Sequence, residues 1–421
     1  MNALLTRRGA LAGAVATLSL AAPRLARGAA PKILVVGGGF AGATCAKYLK
    51  RANPAFEVTL LDKAAQHVSC VGSNEVLVGM RTLSGLKKGY TALASTYGVL
   101  PKTGTATSIN TTARTVRLAD ATTLAYDRLV LAPGIEFRND AIKGWTTATT
   151  AMPHAWIAGA QTTTLQNQLK AMPNKGTVII SVPPAPYRCP PAPYERASLI
   201  AWYLKKYKGG GRVVILDSNE TMPKQALFQE AWQALYPGMI QWVKGSEGGQ
   251  VLSANATTRT VETAFDSWRG DVVNIIAPHR APALLRNAGL ADAATGWCPV
   301  DPLSFASTKV ADIHVIGDSC TASPLPKSGT SGSAEAKVCA SAIARQLAGQ
   351  VLDDPLFINT CYSTIQPDYA IGLAGVYRVQ NGAVVTAAFG TSPTGASRDY
   401  RHKEAEDAAG WMRSFFADTF A

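Results

Sequence analysis

What this chain lacks narrows its chemistry before any motif is considered. None of its seven cysteines stands in C-x-x-C or C-x-x-C-H, which rules against a usual zinc site, a thioredoxin motif and haem attached to this polypeptide. Any haem must therefore sit on a partner. No apolar run after residue 30 is long enough to cross a bilayer, so no transmembrane segment is expected in the mature chain. Nucleic-acid modules are missing too. Lysine and arginine outnumber aspartate and glutamate 41 to 28, but they are scattered, and their densest group, Lys205, Lys206 and Lys208, reads as a solvated basic face.

What is present begins with a stretch that does not look like fold. Arg7 and Arg8 precede an apolar run from Ala10 to Ala22, and small residues follow to Ala30. The run is too short to span a membrane, so residues 1–30 read as a cleaved signal. The paired arginines in Thr6-Arg7-Arg8-Gly9 point to the twin-arginine route and hence to the periplasm, a route suited to a protein that folds around its cofactor before export. In an exported chain disulfides are permitted.

Residues 31–421 exceed one ordinary domain, and they are arranged around Lys32 to Asp62. A short apolar strand, Lys32 to Val36, runs into Gly37, Gly39 and Gly42, spaced as G-x-G-x-x-G; a helix and a second strand, Val58 to Leu61, follow, closed by Asp62. Gly37 permits the tight turn, Gly39 lets the backbone approach a pyrophosphate, and Gly42 lets the helix pack on the strand. Free N–H groups at the helix start meet the phosphates, and Asp62 would accept hydrogen bonds from a ribose diol. The motif is a dinucleotide site; by itself it does not choose between FAD and a nicotinamide nucleotide.

Two later segments favour FAD. Leu129 to Gly134 is an apolar strand ending in Pro133-Gly134, which in flavoproteins with two nucleotide domains passes close to the cofactor. Ile313 to Asp318 is a buried strand ending in Gly317-Asp318, where the glycine admits the ribityl chain and the aspartate hydrogen-bonds it. Lys327-Ser328-Gly329 then leads into a small-residue helix whose N-terminus, aimed at the flavin pyrimidine, would stabilise negative charge there. Cys70 follows Asp62 closely enough to lie near the flavin end of an extended FAD, as a redox thiol or as a covalent attachment point.

From Gly176 the pattern restarts, with a strand over Thr177 to Val182, a helix over Glu195 to Lys206 and a strand over Arg212 to Leu216 ending at Asp217. Here the turn is Pro183-Pro184-Ala185-Pro186-Tyr187-Arg188-Cys189-Pro190-Pro191. Proline donates no N–H and cannot take positive φ, so this turn cannot cradle a pyrophosphate, and a nicotinamide electron donor is disfavoured. The stiff segment instead presents Cys189 and, six residues on, Glu195. The second cysteine of a redox pair is open among several; Cys361 is one candidate. Cys45 and Cys339 look like core thiols, and Cys298 and Cys320 are either buried thiols or a structural bridge.

These residues resemble the flavoprotein subunit of flavocytochrome c sulfide dehydrogenase, a relative of sulfide:quinone oxidoreductase. The likeness is carried by Ser73-Asn74-Glu75-Val76 after Cys70, Arg188-Cys189-Pro190-Pro191 with Pro193-Tyr194-Glu195-Arg196, Gly296-Trp297-Cys298-Pro299, Pro326-Lys327-Ser328-Gly329 and Asn359-Thr360-Cys361-Tyr362-Ser363. The resemblance implies an α/β fold of two Rossmann-like domains and a C-terminal α+β interface domain. The FAD domain would be split between 31–147 and 270–346, with the second Rossmann-like domain at 148–269 and the interface domain at 347–421. It further implies FAD joined through Cys70, a Cys189–Cys361 redox disulfide beside the flavin, Glu195 as acid/base, Trp411 by the flavin, and a c-type cytochrome subunit as acceptor of electrons from sulfide. Trp411, Met412, Phe415, Phe416 and Phe420 are expected to pack on that partner; a quinone surface built from them would make the chain a sulfide:quinone oxidoreductase instead. A flavin-bound scaffold without turnover is the reading from another class.

Overall fold

The structure is a computed structural model describing residues 30–421; the expected signal peptide, Ala30 apart, lies outside the described residues. A five-stranded parallel sheet runs in the order Ile313–Val315, Arg128–Leu131, Lys32–Val36, Glu57–Asp62, Leu100–Thr103. Its inner strands are continuous apolar runs because both faces are covered: Ile33, Leu34, Val35, Leu129, Val130 and Leu131 are all buried. The helices Phe40–Ala52 and Gly329–Leu347 pack against each other. Small residues allow the approach, and a methyl group added at Gly332 would lie 3.2 Å from Ala41 Cβ. Cys45 and Cys339 are both fully buried on these helices, as core thiols.

A second parallel sheet runs Ile240–Val243, Arg212–Asp217, Thr177–Val182, Val272–Ile275. The last strand corrects the boundary expected at residue 269: Val272–Ile275 pairs with Thr177–Val182, so the second unit extends through Ile275. Where the chain passes between the two sheets, Glu136–Phe137 and His279–Arg280 pair antiparallel, and Glu136 bonds Arg280 at 3.0 Å and Arg286 at 2.7 Å.

Beyond residue 347 an antiparallel sheet of Leu356–Gln366, Tyr369–Gln380 and Ala383–Thr391 is followed by the helix Arg398–Phe420. Ser397 caps that helix, its Oγ accepting from Tyr400 N. This helix overturns one expectation. Met412, Phe415, Phe416 and Phe420 are buried within the chain, with Phe415 stacked on Phe40 at 4.4 Å and Phe420 on His67 at 5.8 Å. The aromatics cover the first nucleotide unit and do not form a free surface. No helix among the described residues is long and apolar enough to cross a membrane.

Candidate active site

The carboxyl ends of the first sheet open into a cavity of about 590 Å³. The glycine turn forms one end of it. Gly37 has φ +105°, and a methyl group there would lie 2.2 Å from Ala132 O; at Gly42 it would lie 1.8 Å from Gly37 O, so the helix closes on the turn only without side chains. Over Gly39 the space is open apart from His67, 3.5 Å from the methyl position. Asp62 lines the same end, with Gly38 N–H donating to its Oδ2 at 2.5 Å. Pro133, Gly134, Gly317, Asp318 and Gly329 line it further along. The start of the Gly329–Leu347 helix, with Thr330 and Gly332, also faces the cavity.

These residues fit an extended flavin dinucleotide. Two helix N-termini meet at one cleft; among the described residues nothing lies within 4 Å of a methyl group at Gly134, and His67 Nε2 is buried at the cleft with no partner. Cys70 lines the cavity, its thiol 3.4 Å from Trp156 O. Trp411 lines it from the C-terminal helix, 5.8 Å from both Tyr362 and Phe415.

Cys189, Glu195 and Cys361 come to the same cavity from three places in the fold. Cys189 sits on the proline turn with φ +56°, a conformation costing an L-residue on the order of 1 kcal/mol or more. Its N–H donates to Lys327 O at 2.7 Å, which ties the turn to the flavin half. Burial pushes the Cys189 thiol well above its ordinary value, and Cys361 adds to the effect. Cys361 is raised by burial, with Lys224 opposing. All seven cysteines are thiols in this structure.

Glu195 stands in the first turn of the helix Ala192–Tyr207. Its Oε1 accepts from Thr364 N at 2.9 Å and its Oε2 from Asn74 Nδ2 at 2.8 Å. Asn74 is held the right way round because its Oδ1 accepts from buried Arg196 at 2.9 Å. Burial raises the Glu195 carboxyl to about 7 against these hydrogen bonds, which suits a group exchanging protons near neutrality.

The second unit's turn is closed. Asp217, which ends its second strand as Asp62 ends the first, is fully buried. Its Oδ2 accepts from Tyr194 Oη at 2.6 Å and Trp242 Nε1 at 2.8 Å, and its Oδ1 from Asn219 N at 3.0 Å and Nδ2 at 2.8 Å. Every lone-pair direction it has is used, so it has nothing left for a ribose.

Lys327, expected among the cofactor-binding residues, turns its ammonium from the cavity, donating to Asp318 O at 2.9 Å and Cys320 O at 2.7 Å and lying 3.8 Å over the Trp297 ring. Cys298 and Cys320 are register partners on short parallel strands and are buried as thiols. Three residues escaped the sequence reading. Asn74 orients Glu195; Glu335 accepts from Gly317 N at 2.6 Å and is raised to about 7 by burial; Lys224 donates to Ser363 Oγ at 2.8 Å, two residues from Cys361 on its strand. Asn74 and Glu335 are chemistry-bearing residues next to a recognisable motif, a signal that was available; Lys224 had none.

Comparison with known proteins settles the lineage. Residues 162–277 match the central region of the sulfide dehydrogenase [flavocytochrome c] flavoprotein chain, and residues 353–420 match the flavin-binding region of flavocytochrome c sulphide dehydrogenase. The sulfide dehydrogenase flavoprotein chain of Chlorobaculum thiosulfatiphilum is 47% identical over 45 residues, 11% of this chain and 94% of that sequence. This chain belongs to the flavocytochrome c sulfide dehydrogenase flavoprotein family. Residues 31–179 also match the broader pyridine nucleotide-disulphide oxidoreductase family. The mitochondrial sulfide:quinone oxidoreductase of Mus musculus is 22% identical over 330 residues, 73% of this chain and 69% of that protein. The crystal structure of the Aquifex aeolicus sulfide:quinone oxidoreductase superposes with a TM-score of 0.73 at 17% identity, covering 93% of each chain, which shows the shared fold. The chain is thus a flavoprotein of the sulfide dehydrogenase and sulfide:quinone oxidoreductase group.

Proposed function

We propose that this chain oxidises hydrosulfide through a Cys189–Cys361 disulfide, with FAD in the cleft and a c-type cytochrome partner in the periplasm as acceptor. The observation that carries the reading is the convergence of Cys189, Glu195 and Cys361 on the cavity that the glycine turn opens. Hydrosulfide attacks one sulfur of the disulfide. A persulfide forms there and the other cysteine leaves as thiolate, the usual course of such exchange. That exchange releases no proton; Glu195, held by Asn74 and Thr364, takes the proton from neutral hydrogen sulfide entering the cleft, so that hydrosulfide is the attacking form. Cys70, which lines the cavity, would hold the flavin covalently. Bound FAD would supply a two-electron acceptor that releases electrons singly, as a haem partner requires.

The closed turn around Asp217 counts against NADH as the reductant. The burial of Met412, Phe415, Phe416 and Phe420 counts against a surface built from them for a quinone and for a partner alike. Anaerobic sulfide titration of the purified protein, followed by cytochrome c, tests the proposal. Sulfide is expected to bleach the flavin and cytochrome c to restore it, while Cys189→Ser abolishes bleaching. Full sulfide-dependent reduction in Cys189→Ser overturns the disulfide route, and no bleaching of the unaltered protein would favour the scaffold reading. Denaturation followed by peptide mapping is expected to leave flavin on the peptide containing Cys70.

A further inference from the structure

Lys224 is a buried ammonium without an ion pair among the described residues. It precedes the helix Gln225–Leu235 of the second unit, with φ +59°, a conformation that a side-chain-bearing residue adopts at a cost. From there its Nζ donates to Ser363 Oγ at 2.8 Å and Ile371 O at 3.3 Å. The carboxylates in its surroundings are engaged elsewhere: Glu195 by Thr364 and Asn74, Glu404 by Arg401 and Ser392. A buried charge left unpaired is costly, and a hydrophobe of similar volume would serve packing better.

Ser363 and Cys361 are two residues apart on the strand Leu356–Gln366, so both side chains leave the same face, and the ammonium that holds Ser363 is on the face that carries the Cys361 side chain. Lys224 is absent from the cavity lining, whereas Cys361 and Ser363 are part of it. The charge thus stands off the cavity, on the strand face that Ser363 and Cys361 share.

We propose that Lys224 is the positioning residue for the leaving thiolate: it supplies the counter-charge for Cys361 when the Cys189–Cys361 bond is broken. This rests on the disulfide reading above and adds a direction to it. Hydrosulfide attacks Cys189; the Cys189–Cys361 bond breaks as a new sulfur–sulfur bond forms on Cys189. The hydrosulfide sulfur is oxidised and keeps its proton in the persulfide, and Cys361 takes the electron pair and the negative charge, which Lys224 balances. The charged groups that bear on Cys361 are Lys224 and Glu195, the latter bonded to Thr364 N on the same strand, with Cys189 as the other titrating thiol. Burial, Lys224 and Glu195 are the influences on its proton affinity, and only Lys224 lowers it. For Cys189 the opposing cation is Arg188, outweighed by burial, Cys361 and Glu195.

The test uses the full flavin-loaded protein, reduced, with iodoacetamide labelling of Cys361 followed against pH by peptide mass. Lys224→Met is expected to raise the midpoint for Cys361 and slow its labelling at neutral pH about tenfold, since thiolate is the reactive form. Lys224→Arg, which keeps the charge, should largely restore it, and Cys189 labelling should change less. Ser363→Ala, which frees the ammonium without removing it, should move Cys361 the same way by a smaller amount and serves if Lys224→Met does not fold. An unchanged Cys361 midpoint in a folded Lys224→Met, or failing that in Ser363→Ala, overturns the proposal. Non-reducing peptide mapping of the oxidised protein tests the parent reading separately. A Cys189–Cys361 cross-link with unaltered labelling in Lys224→Met defeats the lysine's role and leaves the disulfide standing; no cross-link defeats the disulfide reading, and the direction of attack with it.

Discussion

Two strand-turn-helix-strand units stand side by side in this chain, each ending its second strand in an aspartate. In the first, glycines make the turn, the space over Gly39 is open, and Asp62 lines a cavity. In the second, prolines make the turn and Asp217 is sealed under Tyr194, Trp242 and Asn219. The scaffold is the same and the turn chemistry differs. Once the second turn gives up phosphate binding, its stiffness is free for another use: it fixes Cys189 and presents Glu195 from the following helix, while Lys224 of the same unit holds Ser363 on the strand that carries Cys361. The second unit has become one wall of the first unit's site.

The difference is easiest to break at the turns. Gly42→Val places atoms where a Cβ alone would be 1.8 Å from Gly37 O, so the helix cannot close. The expected outcome is loss of soluble, flavin-loaded protein, read by expression yield and absorbance. The matching change in the other unit, Pro184→Gly in its exposed turn, should cost only about 1 kcal/mol through a looser unfolded chain and should confer no reduction by NADH. Flavin reduction by NADH in that variant would mean that proline, and not the sealed aspartate, is what excludes the nucleotide.

The aspartates give the next largest contrast. Asp217→Ala strands the Tyr194 hydroxyl and the Trp242 N–H in the core, a loss of about 3 kcal/mol or more in denaturant unfolding. Asp62→Ala, at the cavity edge, should weaken flavin retention and change stability less. Equal stability losses at the two sites would show that the units differ less than their hydrogen bonding indicates.

How much of this was legible depends on how far apart the cooperating residues stand. The Gly37-x-Gly39-x-x-Gly42 turn, the proline turn and the Cys189 to Glu195 spacing are local, and sequence carries local geometry directly. Lys224 is a lone lysine after Met222-Pro223, and its partner Ser363 is 139 residues away, so only tertiary structure brings the charge to Cys361. The C-terminal aromatics were misjudged for a related reason. A run with Trp411, Phe415, Phe416 and Phe420 declares an apolar face but not what covers it, and Phe40 and His67 do. Asp217 was visible as a strand end; that Tyr194 and Trp242 consume it was not.

The finest distinction lies at Glu195, at the helix start where the first unit would offer its N–H groups to a phosphate. An acid in a helix's first turn is ordinarily favoured in its charged form, yet burial raises this one to about 7. Glu195→Gln keeps the shape and removes the titration. Sulfide-dependent reduction should fall about a hundredfold, and the variant-to-parent rate ratio should itself change with pH around a midpoint near 7, which separates the carboxyl from the ionisation of sulfide. Stability carries the same signature. Because the folded carboxyl binds its proton more tightly than the unfolded one, whose ordinary value is 4.5, the parent protein loses stability relative to Glu195→Gln as pH rises from about 4.5 to about 7, and the gap then levels off. A difference that stayed nearly flat over that range would mean Glu195 is held ionised by its helix and its hydrogen bonds, and the closed unit would then be supplying a fixed negative charge to the cleft and no proton.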